Sequence, residues 1–200
     1  MNFASQKIAR HVGLCALALT AGVAQAHTGH GTSGFYEGLA HPLGLDHLLA
    51  MVAVGVWSAS VLPAKQAWRG PATFMAALVV SAILGAAGFS VPYLEQLISL
   101  SVVLVGALLI LVRTPVPPTV GLVLIAAAAS LHGLAHGAET PDSGFATYAL
   151  GFLLTTAALH LSGLLAALNL RRYFSKQSPW ITQLLGMGCS VAGVYLFSSL

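Results

Sequence analysis

Apolar residues occur along this chain in six long runs separated by short polar turns, after a shorter apolar run at the N-terminus. A helix needs ~20 residues to cross the ~30 Å hydrocarbon core of a bilayer, and each of the six runs is close to that length. The pattern predicts an all-α membrane protein, a six-helix transmembrane bundle. Three runs followed by three also allow an inverted repeat, although the two halves show no clear sequence match. We expect helices near residues 43–62, 72–92, 97–113, 119–137, 145–170 and 179–199.

The N-terminus has the parts of a secretory signal peptide. A basic start is followed by an apolar run that is too short to span a membrane comfortably, and then by Ala24-Gln25-Ala26, which matches a cleavage site. We therefore expect residues 1–26 to be a cleaved signal peptide and residues 27–200 to form a single polytopic transmembrane domain. The alternative, an uncleaved first helix, stays open.

Composition supports a membrane protein and excludes a water-soluble one. The 200 residues are 57% hydrophobic and only 6% charged, whereas soluble domains carry about 25% charged residues. The net charge of +3 comes from a few dispersed basic residues, so we expect no nucleic-acid partner. Of two cysteines, Cys15 lies in the signal peptide and only Cys189 remains, which rules out an internal disulfide in the mature chain.

The loop charges predict an orientation. After residue 26, basic residues occur only in alternate turns, at Lys65, Arg69, Arg113, Arg171, Arg172 and Lys176. The opposite turns hold Glu37, Glu95, Glu139 and Asp142. Basic loops remain in the cytoplasm, so we expect a multi-pass protein of the bacterial cytoplasmic (inner) membrane with both mature termini in the periplasm. Aromatic belts should follow, with Trp68, Tyr173 and Trp180 at the inner interface and Tyr36, Tyr93 and Tyr148 at the outer one.

The most informative polar stretch opens the first long apolar run and reads His41-Pro42-Leu43-Gly44-Leu45-Asp46-His47. Ionisable groups are costly inside a bilayer and usually serve a function there. Imidazole and carboxylate together are suitable ligands for a divalent transition metal. Because Pro42 disfavours helix at His41 and Gly44 lets the chain bend, we expect His41 to fold back toward Asp46 and His47.

A second polar cluster comes near the end of the fourth run. His132, His136 and Glu139 have the spacing i, i+4, i+7, which places them on one face if the helix runs that far. Two histidines one turn apart can chelate one ion. The zinc-protease pattern His-Glu-x-x-His is not met, because Gly133 holds the position of the glutamate, and this weakens a hydrolase interpretation. The alternative is that these histidines satisfy hydrogen bonds between helices.

His160 stands alone near the midplane of the fifth run. The polar groups then descend from the outer mouth toward the centre: the first motif and His136 highest, His132 lower and His160 lowest. Conduction requires such a series, because each site must both bind and release the ion. His27 and His30 would open the mature chain, either as further ligands or as a flexible polar start.

These motifs resemble those of the HupE/UreJ family of bacterial nickel or cobalt permeases. The resemblance covers essentially the whole mature chain and is carried by residues 41–51, Val54-Gly55-Val56-Trp57, His132-Gly133-Leu134-Ala135-His136-Gly137, Gly151-Phe152 and His160. It implies secondary uptake of Ni²⁺ or Co²⁺, without fixing which of the two this chain carries.

We therefore predict a secondary permease, not an enzyme, that imports a divalent transition-metal ion, with Ni²⁺ as the first candidate. The metal would be substrate rather than cofactor, and its ligands would come from His41, Asp46, His47, His132, His136, Glu139 and His160. The expected partners are the ion and the lipid bilayer, and a homo-oligomer stays open. The alternatives are an intramembrane metal-dependent enzyme that uses the same histidines and a metallocentre-assembly partner without ion flux.

Overall fold

A computed structural model describes residues 34–138 and 145–200, and within these ranges the chain forms seven α-helices and no strand. The all-α prediction is confirmed. The predicted signal peptide lies outside the described residues, as do His27, His30 and Glu139. The helices are α1 Gly34–Ala40, α2 Leu45–Val61, α3 Arg69–Ala86, α4 Leu94–Ile110, α5 Pro118–Ala138, α6 Phe145–Tyr173 and α7 Ser178–Ser198.

Five of the described helices are long and apolar enough to cross a membrane. Together α1 and α2 meet the same criteria as a bent pair, which is either a broken span or a re-entrant loop, so the described chain has five or six candidate spans. The two helices meet at 71° across the 3-10 turn His41–Leu43. Gly44, which follows the turn, has φ −53° and ψ 142°. Any residue can adopt this conformation, so the bend does not depend on the flexibility of glycine, contrary to the prediction. Glycine provides room instead, because a Cβ there would lie 3.1 Å from Oδ1 of Asp46.

The short helix α1 is absent from the sequence prediction, because seven residues with two glycines give too little apolar pattern. It packs along the start of α6, where a Cβ on Gly38 would lie 2.0 Å from the carbonyl oxygen of Tyr148. The hydroxyl of Thr155 donates across the same seam to the carbonyl oxygen of Leu39 at 2.9 Å. The seam holds the entry turn of α2 against α6.

Three helix pairings are the most extensive: α2 with α6, α3 with α5, and α4 with α7. In a three-helix repeat, α2, α3 and α4 would correspond to α5, α6 and α7. The pairing of α2 with α6 would then correspond to that of α5 with α3, and the pairing of α4 with α7 would correspond to itself. The packing therefore fits the inverted repeat that the three-plus-three order of the apolar runs allows.

Glycines lie at the closest backbone contacts of each of these helix pairings. A Cβ on Gly55 would lie 2.2 Å from the carbonyl oxygen of His160, one on Gly133 would lie 2.3 Å from that of Leu78, and one on Gly106 would lie 2.7 Å from the backbone of α7. Backbone atoms cannot yield at such distances, so small residues set the spacing of the helices. That spacing brings side chains of α2, α5 and α6 within reach of one another.

Helix ends differ from the predicted bounds where apolar residues continue through a turn. α3 ends at Ala86, before the predicted end at residue 92, and the chain reverses through Gly88 with φ 90° and Tyr93 with φ 59°. α4 gives way to the 3-10 turn Leu111–Arg113. Hydropathy alone does not mark these ends, because turn residues such as Phe89 and Val91 are themselves apolar.

The two ends of the bundle differ in charge. The described basic residues lie where α2 leads to α3, α4 to α5 and α6 to α7, and we call this the basic end. Glu37, Asp46 and Glu95 lie at the opposite end, which we call the acidic end.

Candidate metal centre

Three histidines meet at the acidic end, where the turn before α2 faces the last turns of α5. One ring nitrogen from each of His41, His47 and His136 lies within 4.8 Å of the others. Nitrogens that share an ion through bonds of about 2.1 Å lie at most about 4.2 Å apart, so small side-chain movements would let all three bind one ion. We call these three residues the histidine cluster.

The bend before α2 builds half of the cluster. It turns the chain so that the ring of His41 lies 5.6 Å from that of His47 and 4.5 Å from that of His136, between centroids. The ring of His47 lies 4.6 Å from that of His136. His41 thus folds back onto the start of α2 as expected from Pro42, and His136 joins from a helix that lies far away in sequence.

Asp46 lies beside the cluster. Its Oδ1 accepts a hydrogen bond of 2.7 Å from Nδ1 of His47. A carboxylate accepts only, so the proton is on Nδ1 and the lone pair is on Nε2 of His47. In metal sites such a carboxylate orients the imidazole and raises its basicity. The structure thus places Asp46 behind a candidate ligand.

This placement predicts the effect of Asp46→Asn. We expect the affinity for Ni²⁺ to fall by about 10–100-fold, the usual loss for a carboxylate behind a metal-bound histidine, with the fold retained. Calorimetric titration of the purified protein measures it. Glu95→Gln, which neutralises another carboxylate at the acidic end, is the matched control. Equal affinities for the two variants would contradict a role through His47.

His132 lies next to the cluster, and a hydrogen bond defines which of its ring nitrogens carries the proton. Its ring lies 4.6 Å from that of His47, and its Nε2 lies 3.0 Å from Oγ of Ser101 on α4. That hydroxyl gives its proton to the carbonyl oxygen of Ile98 at 2.7 Å, so it accepts from Nε2–H of His132. The lone pair of His132 is therefore on Nδ1, which has no hydrogen-bond partner among the described residues.

Ser101→Ala should remove the hydrogen bond that fixes the tautomer of His132. Both Ser101 and His132 are buried, and loss of the acceptor should lower the affinity for Ni²⁺ by about tenfold, the lower end of losses for groups that orient metal ligands. Ni²⁺ titration measures the change. Ser130→Ala is the matched control, because its hydroxyl donates only to Ala126 within α5. If both serine variants bind like the wild type, Ser101 does not position His132.

The buried ring of His136 lacks hydrogen bonds at both of its nitrogens among the described residues. His136 is 3% exposed. The ring of Phe152 lies 4.3 Å away, and Tyr148 stacks on Phe152. Tyr148 is only 6% exposed, so its predicted place in the outer aromatic belt is wrong. The other five belt residues are exposed, as expected.

His160 lies deeper and apart from the cluster. Its Nδ1–H donates to the carbonyl oxygen of Thr156 at 2.7 Å, which leaves Nε2 buried and without a partner within the described ranges. Phe74 of α3 lies 4.7 Å from the ring of His160 and 5.9 Å from that of His132, between centroids. These contacts place the rings in the order His47, His132, Phe74 and His160, so an apolar ring lies between the last two histidines.

Sequence reasoning missed the residues that support the cluster. Ser101 had a signal, because it is a polar residue inside the apolar run of α4. No sequence feature identified Phe74 and Phe152, because the sequence of an apolar helix does not show whether a phenylalanine faces lipid or a histidine.

The chain is similar to known proteins over most of its length. The family model described as HupE / UreJ protein matches residues 15–196. Protein HupE of Rhizobium leguminosarum bv. viciae is 39% identical over 186 residues, which cover 92% of this chain and 94% of that relative. No solved structure matches the chain. The range matched by the family model spans the positions of all the histidines of the site.

Proposed function

This chain belongs to the HupE/UreJ family, and we propose that it is a secondary permease that imports Ni²⁺ or Co²⁺. The observation that carries the proposal is the histidine cluster, in which three imidazoles from two distant segments converge at one end of an apolar bundle. Imidazole nitrogen is a good ligand for nickel and other late first-row metals.

Entry of the ion would begin at the acidic end. His41, His47 and His136 replace water around the ion, and the carboxylate of Asp46 lowers the cost of taking a dication into a medium of low dielectric. Glu139 follows α5 directly in sequence, and we retain it as a further ligand at this mouth.

Transfer would proceed by exchange of ligands. His47 is the shared neighbour, because its ring lies 4.6 Å from both His136 and His132. The ion moves from the cluster to His47 and His132, and then past Phe74 to Nε2 of His160. Rotation of the Phe74 ring is required for the last step, since this ring contacts both imidazoles. Weak sites in series allow release as well as binding.

Orientation in the membrane is part of the proposal. The basic end faces the cytoplasm by the positive-inside rule, so the histidine cluster opens toward the periplasm of a bacterial inner-membrane protein. The N-terminus of the mature chain and the end of α7 lie on the periplasmic side. Residues 1–26 act as the export signal.

Uptake into proteoliposomes that contain the purified protein tests the proposal. We expect saturable influx of Ni²⁺ that Co²⁺ inhibits and Mg²⁺ does not, because Mg²⁺ prefers oxygen ligands. A double variant with His41→Ala and His47→Ala should show no influx above empty vesicles. Tight binding without flux would instead support the metallocentre-assembly alternative, and a chemical product formed without flux would support the enzyme.

A further inference from the structure

A cavity of about 400 Å³ opens at the basic end, away from the histidine cluster. It lies between the ends of α2 and α6, the start of α7 and the 3-10 turn after α4. The polar side chains that line it are Ser60, Arg113, Arg171, Ser175, Ser178 and Thr182. Its volume is typical of small-ligand sites, which run from roughly 300 to 1,000 Å³.

The two guanidinium groups of this cavity are held in position. Arg171 of α6 donates to the carbonyl oxygen of Ala59 in the last turn of α2. The guanidinium carbon of Arg113 lies 5.0 Å from the ring centroid of Trp180, which is a cation–π distance. Each guanidinium carries five N–H donors, so both arginines have further N–H groups to donate to a ligand.

Among the described residues, these charges have no carboxylate partner at the basic end. The only ion pair among the described residues joins His47 to Asp46 at the acidic end. Glu37 and Glu95 also lie there, and the remaining two acids of the sequence, Glu139 and Asp142, lie outside the described residues. Within the described ranges, the bundle therefore presents a pair of arginines at a cavity whose lining contains no carboxylate.

We propose that this cavity binds a phosphate-bearing anion, and that its natural source is the head group of an anionic phospholipid. Guanidinium forks match phosphate oxygens in pairs, and the hydroxyls of Ser60 and Ser175 add donors. Basic pockets between transmembrane helices on the cytoplasmic side bind anionic head groups. Trp180, which contacts Arg113, is exposed, and exposed tryptophans are typical of the membrane interface where lipid head groups lie.

This site is separate from the proposed metal path. Two guanidiniums repel a dication, and the polar lining contains no imidazole or carboxylate. Failure of the lipid site would therefore leave the permease proposal untouched, and failure of metal transport would leave the lipid site untouched.

Native mass spectrometry of the full-length protein in detergent tests the proposal. The probes are phosphatidylglycerol and phosphatidylcholine with the same acyl chains. The wild type should retain phosphatidylglycerol preferentially, and the Arg113→Gln/Arg171→Gln variant should bind it about tenfold or more weakly, as expected for losing hydrogen bonds to a charged group. Lys176→Gln, which removes a basic-end charge outside the cavity lining, is the matched control and should bind like the wild type.

Arg113→Gln alone keeps the test decisive if loss of Arg171 disturbs α2, because the Arg113 side chain lines the cavity and contacts Trp180 rather than the backbone of α2. This single variant should still bind phosphatidylglycerol more weakly than Lys176→Gln. Equal affinity of Arg113→Gln and Lys176→Gln would overturn the proposal. Inorganic phosphate is the third probe. If it binds the wild type as tightly as phosphatidylglycerol does, and Arg113→Gln weakens both equally, the phospholipid is overturned as the source while the anion site is retained.

Discussion

Replacing His136 by leucine is expected to abolish metal uptake while leaving the folded protein at least as stable as the wild type. His136 contributes a donor to the histidine cluster, and its loss should lower the affinity for Ni²⁺ by more than about 100-fold, beyond the effect of removing a group that only orients a ligand. Its two buried nitrogens have no partner among the described residues. Since a buried unsatisfied polar group costs about 1–3 kcal/mol, an apolar side chain of similar size should not destabilise the fold.

Two measurements on the same preparation separate function from folding in this variant. Ni²⁺ uptake into proteoliposomes reports function, and the thermal unfolding midpoint in detergent reports stability. Met51→Leu is the control, because Met51 is fully buried one turn below His47 and the exchange conserves volume. We expect it to retain both uptake and stability. If His136→Leu unfolds at a markedly lower temperature than Met51→Leu, the histidine serves packing rather than the ion.

Replacing Gly133 by alanine is expected to prevent correct assembly of the bundle, although the change adds one methyl group. The new Cβ would lie 2.3 Å from the carbonyl oxygen of Leu78 and 2.0 Å from the hydroxyl oxygen of Ser81. The serine side chain can rotate, but the backbone of α3 cannot move without separating α3 from α5. We expect a loss of at least about 3 kcal/mol of stability, the upper part of the usual range for overpacking, together with loss of metal binding.

Gly188→Ala is the matched control for this second prediction. Gly188 also lies inside a long helix, but no atom lies within 4 Å of the Cβ that alanine would add. Alanine is favoured over glycine in a helix by roughly 0.5–1 kcal/mol, so this variant should be as stable as the wild type or more stable. The monodisperse yield and the unfolding midpoint measure both variants. Similar values for the two would mean that the glycine contact does not hold α3 against α5.

Much of the site could be foreseen from local sequence rules. Pro42 predicted the break that returns His41 to His47, and the i, i+4 spacing predicted that His132 and His136 share one face of α5. The place of Asp46 behind His47, the hydrogen bond from His132 to Ser101 and the burial of Tyr148 could not be foreseen. Each of these depends on which rotamer or which neighbouring helix fills a particular space, and helical periodicity does not encode that choice.

The sequence by itself determined that this protein consists of apolar helices long enough for a bilayer, with basic turns on one side and acidic turns on the other. These properties depend on hydropathy and charge counted over ~20 residues, so they can be read without knowing which helices touch. Only the tertiary structure decided that His41, His47 and His136 meet, that His160 lies behind Phe74, and that Arg113 and Arg171 share a cavity. The physical reason is that helix pairing depends on where glycines permit close backbone contact, and this brings together residues that are distant in the chain.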